Sequence, residues 1–372
     1  MSDTASIPFR PISVFDGANA EPHAGRQLGL VKEAAQDFRR WFRETGTPEY
    51  VGTFDLAAVP YPARFGLLHA GRVPAPFVTM MNRLVVVRWQ DPNGSTRTLL
   101  WEPSDVELGR NCPFYANLSR KVPSFLEPLG FKRYRSVLEH LQSLGVAPEE
   151  VDYLSFDHLH IQDVRRLVGT RGPAEDLGED RWVEPWFPNA KLVVQRKELE
   201  LLDAVHPLQR VWYQPETYRD LRPEALLSIE GDVLLGPGVA LLHTPGHTPG
   251  NHSLVLHTDT GIWASSENVI AAECLTPEHS RIRGLREWAK EMRQEVILNG
   301  NTIETTAEQY NSVIKEKHIV DRSATNPEFL QFQPSAELWP NPVNVGAQPT
   351  FTHGGIRHGH LRRTRPLHAA AP

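Results

Sequence analysis

Thr244-Pro245-Gly246-His247-Thr248-Pro249-Gly250-Asn251-His252, read together with Asp157-His158-Leu159-His160-Ile161-Gln162-Asp163 about ninety residues earlier, decides how this chain is understood. His158 and His160 are one residue apart, and His247 lies on a tight Pro/Gly turn. Three protein ligands plus one position left for water are what a catalytic zinc-type site requires. With 16 histidines in 372 residues, a His-x-His pair carries little by itself, so the flanks have to decide. Upstream, Val137, Leu138, Leu141 and Leu144 recur at helical spacing, Gly145 supplies a stop, and residues 151–156 read as an extended apolar run. Helix, glycine, strand, then His-x-His sets the pair at the carboxyl end of a strand, where open α/β architectures keep their sites.

The later stretch has a different punctuation. Residues 233–235 and 239–242 read as short strands around Gly236-Pro237-Gly238, and the second runs directly into the turn that carries His247. A further strand over residues 253–257, a turn at Asp259-Thr260-Gly261 and a partner strand over 262–264 follow. His247 is therefore expected on a rigid turn between strands.

In these features the chain resembles the metallo-β-lactamase superfamily, and most closely its lactonase-like hydrolase branch, over roughly residues 80–340. Residues 137–156 look like that family's lead-in to its His-x-His-x-Asp-His motif. Residues 187–191, followed by 193–198, are similar to its next strand and helix. Thr-Pro-Gly-His-Thr-Pro-Gly matches its third-histidine turn, and residues 262–269 fall where it has a strand ending in Gly-Asp. Four signatures in the right order are more specific than any one motif. The resemblance implies a four-layer αβ/βα sandwich of two mixed sheets, with both histidine motifs at one edge.

It also implies a ligand set with departures. One metal would be held by His158, His160 and His247, and the bridging carboxylate would be Glu267, preceded by Ser266 where the family has glycine. The family's Asp-His pair for a second metal falls on Gln162 and Asp163, and its final histidine on Ala336. A gapping with one inserted residue would instead put Asp163 on the aspartate and leave the next histidine unmatched by Val164. Either way the second site loses two nitrogen ligands, so one zinc per chain is expected, with iron as the alternative ion. A single ion still acts as a Lewis acid and brings its bound water to a pKa of about 7. Asp163 reads as the catalytic general base, with a metal-ligand role and a salt bridge to Arg165 or Arg166 as the competing assignments.

Trp182, Trp186, Trp212, Tyr213, Trp263 and Trp288 are numerous between and around the metal motifs, against the ordinary reading that tryptophans fill a large core. Trp182, Trp186 and Trp263 are taken as the substrate-binding walls. An aromatic pocket beside one metal suits a hydrophobic ester, lactone or halogenated aromatic better than a phosphodiester, which would call for a second metal or an arginine clamp. The expected function is a metal-dependent hydrolase using a metal-bound hydroxide. The alternatives are an iron-dependent oxidoreductase on the same fold and a catalytically silent binding member.

A net charge of −6 and an isoelectric point near 6.2 argue against a nucleic-acid partner. No apolar run is long enough to span a membrane, and Met1 to Pro8 has neither a basic start nor an apolar signal core. Two cysteines, Cys112 and Cys274, do not make a disulfide framework. A cytoplasmic protein acting on a small molecule is expected, with a homodimer left open. Residues 1–48 read as an amino-terminal arm and amphipathic helix, 49–340 as the hydrolase domain and 341–372 as a solvated basic tail containing His353, His358, His360 and His368. A hairpin over residues 81–101, with Asn93-Gly94 in its turn, is expected to open the first sheet.

Overall fold

A computed structural model describes residues 8–121, 130–214, 216–300 and 305–361. In chain order its strands are β1 (Arg10–Pro11), β2 (Tyr50–Pro62), β3 (Phe77–Gln90), β4 (Thr96–Trp101), β5 (Lys132–Arg133), β6 (Tyr153–Ser155), β7 (Lys191–Gln195), β8 (Leu226–Ile229), β9 (Val233–Gly236), β10 (Val239–His243), β11 (His252–Thr258), β12 (Gly261–Ser265), β13 (Ala336–Leu338) and β14 (Arg357–Gly359). One sheet has the order β14-β2-β3-β4-β6-β7-β8, with β13 pairing β3 and β5 pairing β2; the other has the order β1-β9-β10-β11-β12. The larger sheet is mixed, antiparallel through β2, β3 and β4 and parallel from β4 to β8. The smaller one is antiparallel, and its parallel pairing among the described residues is the bridge between Ala264 and Phe332.

Alternation of side chains along the strands sorts the core into layers. On β10 and β11, Val239, Leu241, Leu254 and Leu256 face the other sheet, where they meet Val85, Val87, Leu99 and Val193. Their neighbours Ala240, Leu242 and Val255 face outward to Phe38, Phe42, Val313 and Ile314 on helices Ala24–Glu44 and Thr306–Ile319. On the larger sheet Leu84, Val86, Leu154 and Leu192 face outward to Val137 and Leu141 of helix Val137–Leu144. Helix, sheet, sheet, helix is the expected four-layer sandwich. The expected helix stop is also present: Ser136 and Glu139 form a capping box, and Gly145 ends the helix at φ 71°.

The terminal segments differ from expectation. Helix Ala24–Glu44 is not on a detached arm: it buries Val31, Ala35, Phe38 and Phe42 against the smaller sheet's outer layer, and β1 adds a strand to that sheet. Each buried phenylalanine is worth roughly 1.5–3 kcal/mol, which a solvated arm would forgo. Residues 341–361 are not a solvated tail either. Strand β14 extends the larger sheet beyond β2, Ile356 enters the inter-sheet core, and His358 sits 2.8 Å from Asp259 Oδ1. His353 is half-buried, edge-on to Trp263. His368 lies outside the described residues. Among the described residues no helix is long and apolar enough to cross a membrane.

Candidate metal centre

The first histidine pair leaves the end of β6, whose parallel neighbours β4 and β7 fix its direction. His247 occupies the turn between β10 and β11, whose two glycines permit close approach from both outer layers. Gly246 has φ 129°, and a Cβ there would collide with the Gln309 backbone of helix Thr306–Ile319. A Cβ on Gly250 would collide with the Glu198 backbone of helix Arg196–Asp203. The turn is thus wedged between a helix of each layer.

This places His158, His160 and His247 together. All three are buried, and one nitrogen from each lies within 4.8 Å of the others. Ring centroids are 4.4 Å apart for His158 and His160, 4.5 Å for His158 and His247, and 5.2 Å for His160 and His247. His158 Nδ1 is 2.5 Å from Asp157 Oδ1, whose other oxygen accepts a hydrogen bond from Ser335 Oγ at 2.5 Å. The Asp157 backbone N–H donates to Glu102 Oε1 at 2.6 Å. His158 Nε2 is buried with no hydrogen-bond partner among the described residues. A carboxylate that orients one imidazole nitrogen while the other faces a cluster of imidazoles is the usual support of a metal ligand, so the donor set fits one borderline ion such as zinc.

Electrostatics follow from burial. Burial holds His247 down at about 3, with the neighbouring His158 adding to the effect. Burial also lowers His160, again with help from His158 and His247. For His158 burial acts the same way, but the Asp157 carboxylate outweighs it and brings the ring up to about 9. Burial raises Glu267 to about 7, against the pull of His158. Glu267 lines the cavity beside the trio, where Asn299 Nδ2 donates to its Oε1 at 3.3 Å.

Asp163 is not on the cavity wall. Its buried carboxylate accepts from Arg165 Nε at 3.1 Å and Nη2 at 2.8 Å, and the same guanidinium also binds Asp176. This contact is the salt bridge that the sequence offered as a competing assignment for Asp163. Asp163→Asn is expected to cost about 3 kcal/mol of stability, as breaking a buried ion pair does, while leaving bound metal unchanged. Denaturant unfolding with elemental analysis checks this, and loss of the metal would return Asp163 to the site.

The three tryptophans taken as substrate walls also lie elsewhere. Trp182 is exposed and donates to Glu184. Trp186 packs on the outer face of the larger sheet. Trp263 belongs to the inter-sheet core and donates to Thr260 Oγ1 at 2.9 Å. The aromatic wall is instead Tyr61, Tyr115 and Trp212. The Trp212 ring is 6.2 Å from His160 and 4.4 Å from Phe114. The cavity is about 30 Å³, room for about two waters. Gln162 and Ala336 line it, so positions that the resemblance gives to a second metal reach the cavity carrying an amide and a methyl.

Sequence reading also missed Glu198. This fully buried carboxylate accepts from the Leu159 N–H at 3.0 Å, the Tyr213 hydroxyl at 2.8 Å and the Thr248 hydroxyl at 2.6 Å, tying the two histidine motifs together. A glutamate on an amphipathic helix gives no local sign of such a role. Asp157, by contrast, could have been found from its place next to His158.

No family model matches the chain. It is 31% identical over 123 residues to an N-acyl homoserine lactonase of Bacillus sp, covering 33% of this chain and 40% of that one. It is 32% identical over 124 residues to the lactonase of Bacillus thuringiensis, covering 33% and 40%. The matched region thus spans about 40% of these curated relatives. Among solved structures, a quorum-quenching N-acyl homoserine lactone lactonase is 17% identical with a TM-score of 0.41, covering 67% of this chain and 89% of that one. A dizinc quorum-quenching lactonase is 11% identical with a TM-score of 0.46, covering 85% and 96%.

Proposed function

We propose that this chain, whose fold is that of the metallo-β-lactamase superfamily, is a metal-dependent hydrolase of a small lactone or ester. The observation that carries the reading is the buried trio of imidazoles in which Asp157 orients His158 and leaves its Nε2 facing the cluster. The local similarity to N-acyl homoserine lactonases supports a lactone as the first substrate to try.

His158, His160 and His247 would hold one zinc ion. That ion would supply Lewis acidity for the hydrolysis. The rest is done by the chain. Asp157 and Ser335 fix the His158 ring. Glu267, held through Oε1 by Asn299, accepts the proton released as water attacks the substrate carbon and returns it to the leaving oxygen. Tyr61, Tyr115 and Trp212 wall the cavity and exclude bulk water from it. Support for a single ion comes from Gln162 and Ala336, which bring no negative charge to offset the repulsion between two dications.

Protein purified without chelators is expected to carry close to one zinc per chain and to open a short-chain acyl lactone. Prolonged dialysis against a chelator should abolish turnover, and stoichiometric zinc should restore it. Iron in place of zinc would point to an oxidoreductase, and no stoichiometric metal would leave a binding protein. Two fully occupied metals would overturn the mononuclear reading.

A further inference from the structure

We propose that Glu316 is a positioning residue for the metal centre: it fixes the peptide that carries Glu267 and ties it to the turn that carries His247. This deepens the hydrolase reading and rests on it for the roles of those two residues.

Helix Thr306–Ile319 packs on the outer face of the smaller sheet through Val313, Ile314 and Ile319. Beside them runs a buried polar stripe. Gln309, Ser312 and Glu316 follow at intervals of three and four, which sets them on one side of the helix, and all three are buried. Burying such groups costs desolvation that their hydrogen bonds at best offset, and a well-packed apolar stripe is often the more stable choice. The stripe therefore calls for a reason other than stability, and its partners supply one.

Ser312 Oγ donates to Pro245 O at 2.7 Å, and Gln309 Nε2 donates to Asn299 O at 2.7 Å. Glu316 Oε1 accepts from Ser253 Oγ at 2.6 Å, from Ser266 Oγ at 2.6 Å and from Asn268 Nδ2 at 3.1 Å. Ser266 and Asn268 are the two neighbours of Glu267, and the Asn268 N–H closes back onto Ser266 Oγ at 3.2 Å. One carboxylate oxygen thus grips both flanks of Glu267. Ser253 gives its proton to Glu316, so in the 2.6 Å contact between Ser253 Oγ and Thr244 Oγ1 the threonine is the donor. Thr244 opens the segment that leads to His247, and its carbonyl accepts from Asn268 Nδ2 at 3.2 Å. Glu316 is the common acceptor for β11, for the Glu267 peptide and, one hydroxyl further, for the start of the His247 turn.

The adjacent Lys315 does not pair with Glu316 but with Asp232, at 2.9 Å. Burial raises the Glu316 carboxyl to about 7, against the pull of its three donors. Its other oxygen, Oε2, is buried with no hydrogen-bond partner among the described residues. An acceptor at Oε1, rather than charge, is what the three donors require, and a carboxamide of the same shape supplies one.

The test compares Glu316→Gln, which keeps that acceptor, with Glu316→Leu, which removes it. Zinc affinity is read by competition with a chromophoric chelator, and stability by denaturant unfolding of the metal-free proteins. Glu316→Leu is expected to weaken zinc about tenfold and Glu316→Gln by less than about threefold, the lower end of the range for groups that support metal ligands. The unfolding midpoint of Glu316→Leu should not fall. At saturating zinc its kcat for lactone opening should drop by about tenfold with KM unchanged, as misplacement of a reacting group produces. Unchanged zinc affinity in Glu316→Leu, equal weakening in Glu316→Leu and Glu316→Gln, or a zinc loss accounted for by a lowered unfolding midpoint overturns the proposal. Should Glu316→Leu not fold, the double substitution Ser253→Ala with Ser266→Ala removes two of the donors instead, and unchanged zinc affinity there overturns it equally. The expected zinc shifts in a protein that opens no lactone or ester would keep the positioning role and sink the hydrolase reading, whereas no zinc binding by the unaltered protein would sink both.

Discussion

His247→Ala is expected to remove the bound metal and reduce turnover to background. The residue is fully buried on a turn clamped by two helices, so water cannot replace the lost imidazole with comparable geometry. Losing a supporting group around a metal site typically costs 10- to 100-fold in affinity, and losing a direct ligand should exceed about 100-fold. His358→Ala and His360→Ala provide the contrast. His358 is engaged with Asp259 and the Pro48 carbonyl, and His360 is exposed. Both variants should keep the full metal complement by elemental analysis. Equal metal loss across the three proteins would mean that the wrong histidines have been chosen.

Glu267→Gln is expected to lower turnover by a factor on the order of 10² to 10⁴, the usual range for a positioned general acid or base, while the metal remains bound. The substitution keeps the side chain's length and the Asn299 contact but removes the ability to take up a proton. Metal content and turnover measured on the same preparation separate the alternatives. If the ion is lost together with activity, Glu267 is a ligand, as the resemblance implies for its position, and proton transfer belongs to another group.

Much of the site was legible because its signals are local. A stripe of apolar residues ending at Gly145, a short strand, a His-x-His pair and a Pro/Gly turn between strands each report on a few neighbouring residues, and periodicity and turn chemistry act at that range. Their order along the chain brought His158, His160 and His247 into one expected site, and the structure brings the same three together.

The partners of individual side chains were a different matter. Local signals in the sequence determined the histidine trio, and the family resemblance they carry implied the layered αβ/βα class and the lack of charge at Gln162 and Ala336. Only the tertiary structure decided that Asp163 turns to Arg165 rather than to the cavity, because Arg165 is also fixed by Asp176 thirteen residues beyond Asp163. It decided that Trp212, rather than Trp182, Trp186 or Trp263, walls the site, since which tryptophan faces a cavity depends on packing between distant segments. It also decided that Glu198 joins Leu159 to Thr248 and that β1 and β14 complete the two sheets. Those contacts join segments far apart in the chain. Periodicity and turn propensity describe neighbours, whereas the direction of a buried side chain is set by whichever partner the closed fold brings within hydrogen-bond or van der Waals reach.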